Sequence, residues 1–177
     1  MEERMSEASA GNEQLTIIGK QLHPGEPAPD FCLDYFDLVD MAVRTVGLAD
    51  SSGTVRLLNV VNSLERPFCQ LVTRRWEALC PALPPIAYIY TVSMDSPELQ
   101  ALWQEGAGVL HQALSAHRSE RFGQDYGMWL KEWSLLQRAV FVIDSDDRIV
   151  YVEYVADQLR EPDYTTAMQA VQQAAVE

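Results

Sequence analysis

Apolar and polar positions along the chain fall into two periods. Val55-Arg56-Leu57-Leu58-Asn59-Val60-Val61 and Ile86-Ala87-Tyr88-Ile89-Tyr90-Thr91-Val92 are short, nearly unbroken apolar runs bounded by turn residues. Runs of this length suit central strands buried on both faces. Ala139-Val140-Phe141-Val142-Ile143 is a third. Asp144-Ser145-Asp146-Asp147 turns it, and Arg148 to Tyr154 returns as an antiparallel partner. Between the first two runs, Cys69 to Leu79 predicts a helix, stopped by Cys80-Pro81-Ala82-Leu83-Pro84-Pro85. Pro97 stands near a first helical position, so a second helix is expected from there to about Gln104, ended by Gly106 and Gly108. Tyr164, Met168, Val171 and Ala175 share one face of a last helix over Pro162 to Val176.

The remaining segments are less regular. Met1 to Gln14, with Glu2, Glu3, Ser6, Glu7, Ser9, Gly11 and Asn12, reads as a mobile tail (residues 1–14). Leu15 to Ile18 predicts a first strand, turned by Gly19-Lys20 and returned by Gln21-Leu22-His23. Pro24-Gly25-Glu26-Pro27-Ala28-Pro29-Asp30 has too many prolines for helix or central strand and predicts an extended loop. Short extended pieces are expected at Phe31-Cys32-Leu33 and around Val43 to Leu48. His111 to Arg121 fits no single pattern, and Phe122 to Gly127 reads as compact loop or short helix. The order strand, helix, strand, helix, hairpin, helix predicts an α/β fold, a mixed central sheet flanked by helices, in one domain over 15–177.

Composition narrows what such a fold could do. A net charge of −13 disfavours nucleic acid and anionic membrane surfaces. No apolar stretch is long enough to span a bilayer, and the amino terminus lacks the apolar run of a signal peptide. Three cysteines do not make a disulfide framework, so a cytoplasmic, reducing setting is the simplest expectation.

Cys69 is the candidate for chemistry. It follows a polar turn, Asn62-Ser63-Leu64-Glu65-Arg66-Pro67, and opens a helix. Unpaired N–H groups and the helix dipole favour an anion at that position, and Arg66, Arg74 and Arg75 act in the same sense. The expectation is a thiol with a depressed pKa; the competing reading is a buried structural cysteine. Cys80, at the end of the same helix, starts about 16 Å away at the helical rise and is assigned to packing. His23, His111 and His117 show no metal-ligand spacing. Trp129 and Trp133 are four apart and are expected on one helix face, in core or dimer contact. Asp144, Asp146 and Asp147 read as a hairpin turn, with a cation site the weaker idea.

Several motifs occur in a telling order: Pro24-Gly25-Glu26-Pro27-Ala28-Pro29-Asp30-Phe31, the strand-to-cysteine turn, Thr73-Arg74-Arg75, Ser93-Met94-Asp95, Phe122-Gly123 with Tyr126-Gly127, Arg138-Ala139-Val140-Phe141-Val142, and Glu153-Tyr154-Val155 with Glu161-Pro162-Asp163-Tyr164. Together they resemble the atypical two-cysteine thiol peroxidase branch of the peroxiredoxins. The resemblance implies a thioredoxin-like fold with an N-terminal β-hairpin and a homodimer. It also implies reduction of a hydroperoxide substrate with electrons from thioredoxin or another thiol reductant, and no cofactor. Cys69 matches the family's attacking cysteine and Arg138 its distant arginine.

The resemblance has three departures. Within the family's Pro-x-x-x-Thr-x-x-Cys signature, Arg66 stands at the threonine and Asn62 at the proline. A guanidinium can donate a hydrogen bond but cannot accept one. Gln104 stands where the family has its resolving cysteine. A one-cysteine peroxidase with Cys69, Arg138 and Arg66 at the site is therefore the expected form. The alternatives are a non-catalytic redoxin-like dimeric interaction protein and a different thiol chemistry on the same scaffold.

Overall fold

The structure is a computed structural model that describes residues 1–176. Its elements in chain order are β1 (Glu3–Ala10), β2 (Glu13–Ile18), β3 (Cys32–Asp37), β4 (Ala42–Gly47), β5 (Val55–Val60), α1 (Pro67–Leu79), β6 (Ala87–Ser93), α2 (Pro97–Ala107), β7 (Ala113–Ser115), α3 (Arg121–Asp125), β8 (Trp129–Leu130), β9 (Leu135–Leu136), β10 (Ala139–Ile143), β11 (Ile149–Tyr154) and α4 (Tyr164–Ala175). The main sheet has the order β11-β10-β5-β6-β7-β3-β4. Its centre, β5, β6 and β7, is parallel; β10, β11, β3 and β4 join antiparallel. The mixed sheet predicted from the apolar runs is thus present, with β5 buried along its whole length.

Alternation along β5 sorts its side chains onto two cores. Val55 and Leu57, with Ile89, Val140 and Val142, pack under Val72 and Trp76 of α1 and Ala167, Met168 and Val171 of α4. Leu58 and Val60 point the other way, into a core with Val92, Phe141, Phe122, Tyr126, Met128 and Leu136. Two of the three long helices, α2 and α4, are capped by the residue just before them. Ser96 accepts the Leu99 N–H at the start of α2, and Asp163 accepts that of Thr166 at the start of α4. Among the described residues no helix is long and apolar enough to cross a membrane.

Three expectations are corrected. Residues 3–10 are not a mobile tail but a strand, and the N-terminal hairpin turns at Gly11-Asn12 instead of at Gly19-Lys20. The anchor is Arg4, buried despite its charge: its guanidinium donates to the Gly19 and Gly127 carbonyls at 2.5 and 3.0 Å and lies 5.6 Å from the Tyr154 ring centre. Gly19 has φ +116°, and a Cβ there would stand 2.1 Å from the Gln124 carbonyl oxygen, so glycine permits this close crossing. Trp129 and Trp133 do not share a helix. Trp129 is in β8, and Trp133 lies in the turn to β9, where Ser134 adopts a left-handed φ of 52°. Finally, α1 begins two residues before Cys69, because Pro67 occupies its first position, where a missing N–H removes no helical bond.

Candidate active site

The turn after β5 delivers Cys69 as the third residue of α1. Asp95, just beyond the end of β6, holds that turn. Its carboxylate accepts from Ser63 Oγ, the Leu64 N–H and Ser93 Oγ, each at 2.7 Å. Gln100 donates to Ser93 Oγ at 3.0 Å and so supports the same network. On the other side, Asn62 donates through Nδ2 to the Leu136 carbonyl (2.7 Å) and to Gln158 Oε1 (3.2 Å), while its Oδ1 lies 3.9 Å from Cys69 Sγ. Asn62, which departs from the proline of the resembled signature, therefore ties the cysteine turn to Gln158 and to Leu136.

Arg138, immediately before β10, is buried to 1% exposure. Among the described residues it makes no ion pair; its guanidinium donates to the carbonyls of Gln158 (3.2 Å), Asp157 (3.1 Å) and Arg160, and it lies 4.7 Å from the Phe68 ring centre. A charge held by neutral carbonyls keeps its field for a neighbour. Arg66, the residue before α1, is half-buried and lies 4.3 Å from the centre of the Trp133 ring. Trp103 of α2 packs against Val61, Leu64 and Cys69, and Arg74 lies 5.6 Å from its ring. Arg75 instead pairs with Glu161 on the surface.

The structure brings Cys69, Arg138 and Arg66 together but corrects the expected acidity. Cys69 is 1% exposed. Burial pushes its thiol above the ordinary range, although the Ser63 and Asn62 N–H groups and the Arg138 and Arg66 charges pull it down. Reasoning from a helix start counts the donors and misses desolvation. Burial therefore favours the neutral thiol, while the same N–H groups and charges favour the anion.

Gln104 is half-buried in α2 and donates to the His111 carbonyl at 2.5 Å, so it closes the end of its helix. Cys80 lies at the far end of α1 from Cys69, and Cys32 is exposed at the start of β3 beside Arg118, whose Nη2 is 3.3 Å from Sγ. Sequence reasoning missed Asp95 and Gln158 as supports. Ser93-Met94-Asp95 was visible as a motif, but its target 31 residues upstream was not, and Gln158 carries no local signal.

A parallel-centred sheet with a lone buried cysteine in the first turn of the helix after its central strand defines a thioredoxin-fold thiol protein. The chain belongs to the AhpC/TSA family, which matches residues 24–152. It is 40% identical over 162 residues to a thiol peroxidase of Halalkalibacterium halodurans, covering 90% of this chain and 93% of that one. A thiol peroxidase of Bacillus subtilis is 32% identical over 167 residues, covering 94% and 96%. Among solved structures, a peroxiredoxin-like protein from Aquifex aeolicus matches with a TM-score of 0.83 at 24% identity, covering 96% of this chain and 98% of that one. A thiol peroxidase from Chromobacterium violaceum gives 0.83 at 20%, covering 96% and 97%, and so likewise shares the fold.

Replacement of Arg66 should report on whether its guanidinium serves the site or shields it. Arg66→Ala is expected to slow oxidation of Cys69 by peroxide about tenfold, because a cationic donor beside the developing anion is lost. Stopped-flow measurement on the reduced protein reads this directly. A faster rate in both Arg66→Ala and Arg66→Thr would mean that the side chain stacked on Trp133 closes the pocket instead.

Proposed function

We propose that this protein reduces hydroperoxides through Cys69 and relies on an external thiol to complete each cycle. The observation that carries the reading is a buried sulfur in the first turn of α1, next to the Asn62–Ser63 turn, on which the Arg138 and Arg66 charges act. That arrangement stabilises a thiolate and the oxyanion leaving group of a peroxide bond. The thiolate attacks one peroxide oxygen; the O–O bond breaks, Cys69 becomes a sulfenic acid, and the alkoxide or hydroxide takes a proton and leaves as alcohol or water. A first external thiol condenses with the sulfenic acid, releasing water and forming a mixed disulfide. A second thiol attacks that disulfide and regenerates Cys69.

Gln104 cannot condense, and neither Cys80 nor Cys32 stands beside Cys69. The reductant is therefore thioredoxin or another small dithiol or monothiol able to reach the helix start. A homodimer and a cytoplasmic setting accompany this reading, on the strength of the bacterial thiol peroxidase relatives. The non-catalytic alternative finds less support, because Arg138 is buried with no ion-pair partner among the described residues, where its field acts on Cys69.

The test is one equivalent of peroxide added to reduced protein, followed by peptide mass mapping with a sulfenate-trapping dione. The expected product is a trapped sulfenate on Cys69 with no intrachain disulfide, and continued peroxide consumption only when thiol is supplied. A disulfide from Cys69 to Cys80 or Cys32 would replace the one-cysteine cycle. An unmodified Cys69 after peroxide would remove the peroxidase reading altogether.

A further inference from the structure

The far end of α1 carries a second cluster that the proposed peroxidase cycle does not use. Glu77 and Cys80 stand three residues apart at the last turn, facing His111 on the segment between α2 and β7. Glu77 Oε2 lies 2.6 Å from His111 Nδ1 and 3.8 Å from Cys80 Sγ, and the three donor atoms are all within 4.8 Å of one another. The His111 side chain is 4% exposed. Its other nitrogen, Nε2, is 2.7 Å from Thr91 Oγ1, and Thr91 is itself bonded by Asn59 Nδ2 at 3.0 Å. Glu77 is fixed independently, by the N–H groups of Leu110 and His111 at 2.9 and 3.1 Å. A cleft lined by Glu77, Cys80, Pro84, Tyr88, Leu110 and His111 opens onto the cluster.

We propose that Glu77, Cys80 and His111 bind a single zinc ion, with a water from the cleft as the fourth ligand. One thiolate, one imidazole and one carboxylate form a donor set that suits zinc, whereas magnesium and calcium take oxygen ligands. Zinc bond lengths of about 2.0–2.3 Å place tetrahedral donors roughly 3.3–3.8 Å apart. The Glu77–Cys80 separation of 3.8 Å already fits, the Cys80–His111 pair lies within 4.8 Å, and the 2.6 Å between Glu77 and His111 must widen by somewhat under about 1 Å to admit the ion. The metal replaces the proton shared by Glu77 and His111. Imidazole Nδ1 coordinates, and the Nε2 proton is donated to Thr91 Oγ1, an outer-shell bond that fixes the ring. Cys80 releases its thiol proton to solvent as the Zn–S bond forms; no oxidant or reductant takes part. Occupancy would pin the end of the Cys69 helix to the segment that enters β7. No ligand spacing announces this site in the sequence, because His111 is 31 residues beyond Cys80 and meets it only through the sheet.

Cobalt(II) is the probe, since thiolate-bound cobalt absorbs by sulfur-to-metal charge transfer. One equivalent added to reduced, metal-free, full-length protein should produce that band, and zinc should abolish it. Cys80→Ser should remove the band, and His111→Gln should weaken binding at least about tenfold. Cys32→Ser and Cys69→Ser should each retain it. In the unsubstituted chain, zinc should protect Cys80 from alkylation, as read by peptide mass, which keeps the test valid if His111→Gln misfolds. Absence of the band, its survival in Cys80→Ser, or equal Cys80 alkylation with and without zinc would each overturn the proposal.

Discussion

Peroxide consumption is expected to fall to the uncatalysed background in Cys69→Ser, a loss of about a thousandfold or more, with thiol reductant and protein concentration held fixed. A serine hydroxyl cannot be oxidised by two electrons at its oxygen, so the loss belongs to the chemistry and not to substrate binding. Melting should scarcely move, because the substituted side chain is nearly the same size in the same buried place. The unsubstituted protein should show a definite pH dependence. Burial raises the Cys69 thiol above the ordinary cysteine value of about 8.5, so the thiolate fraction at neutral pH is small and grows about tenfold per pH unit. The rate should climb with pH until it passes the folded-state pKa. The sign for stability is opposite. A thiol whose pKa is raised on folding contributes fully below its unfolded value, and that contribution is lost as pH rises through the folded value. Retained turnover in Cys69→Ser would transfer the reaction to Cys32 or Cys80, and a flat pH profile would mean that the pocket opens before the proton leaves.

Asp95→Ala should be the most damaging single change outside the thiol itself. The carboxylate accepts three bonds at 2.7 Å, two of them from the turn that carries Cys69. Removing it strands the Leu64 N–H and loosens Ser63, Ser93 and, through Ser93, Gln100. Charge-assisted bonds of this kind put the cost at about 3 kcal/mol. For a chain of this size that is a fall of roughly 6–12 °C in Tm. Activity should drop about 10–100-fold further than stability explains, because the Ser63 N–H is one of the groups that steadies the anion. Thermal melts and peroxide assays at a temperature where the variant is fully folded separate the two effects. A Tm within about 1 °C of the unsubstituted protein would show that Asp95 is replaceable by water.

The central elements were legible because their patterns are local. β5, β6, β10 and β11 are short apolar runs between turn residues, and α2 and α4 carry their own caps. The first strand was not legible. Its exposed side chains, Glu3, Met5, Ser6 and Glu7, mix charged, apolar and polar, and its inward residues, Arg4 and Ala8, are separated by a bulge that breaks the alternation. A buried arginine does not read as a core residue. β7, three residues long, is too short for any period to show. At the site, Cys69, Arg66 and Arg138 emerged from motif resemblance and the helix-start argument. What makes them a site did not: Asp95, Asn62 and Gln158 act across separations of 20 to 96 residues, and the burial that sets the thiol's acidity is a property of the packed molecule.

The first strand also affects when the site comes into being. Ser9 exchanges backbone bonds with Ala156 and Gln158, both at 2.8 Å. Gln158 in turn bonds Asn62 and the backbone N–H of Arg138 through the same Oε1. Four stretches of chain, near residues 9, 62, 138 and 158, must meet before the cysteine has its surroundings. Contacts so distant along the contour close late in folding. Because synthesis proceeds from the amino terminus, the thiol emerges well before its arginine, and Gln158 later still. Until then Cys69 is a solvated thiol of ordinary acidity, and the nascent protein carries the nucleophile without its electrostatic support.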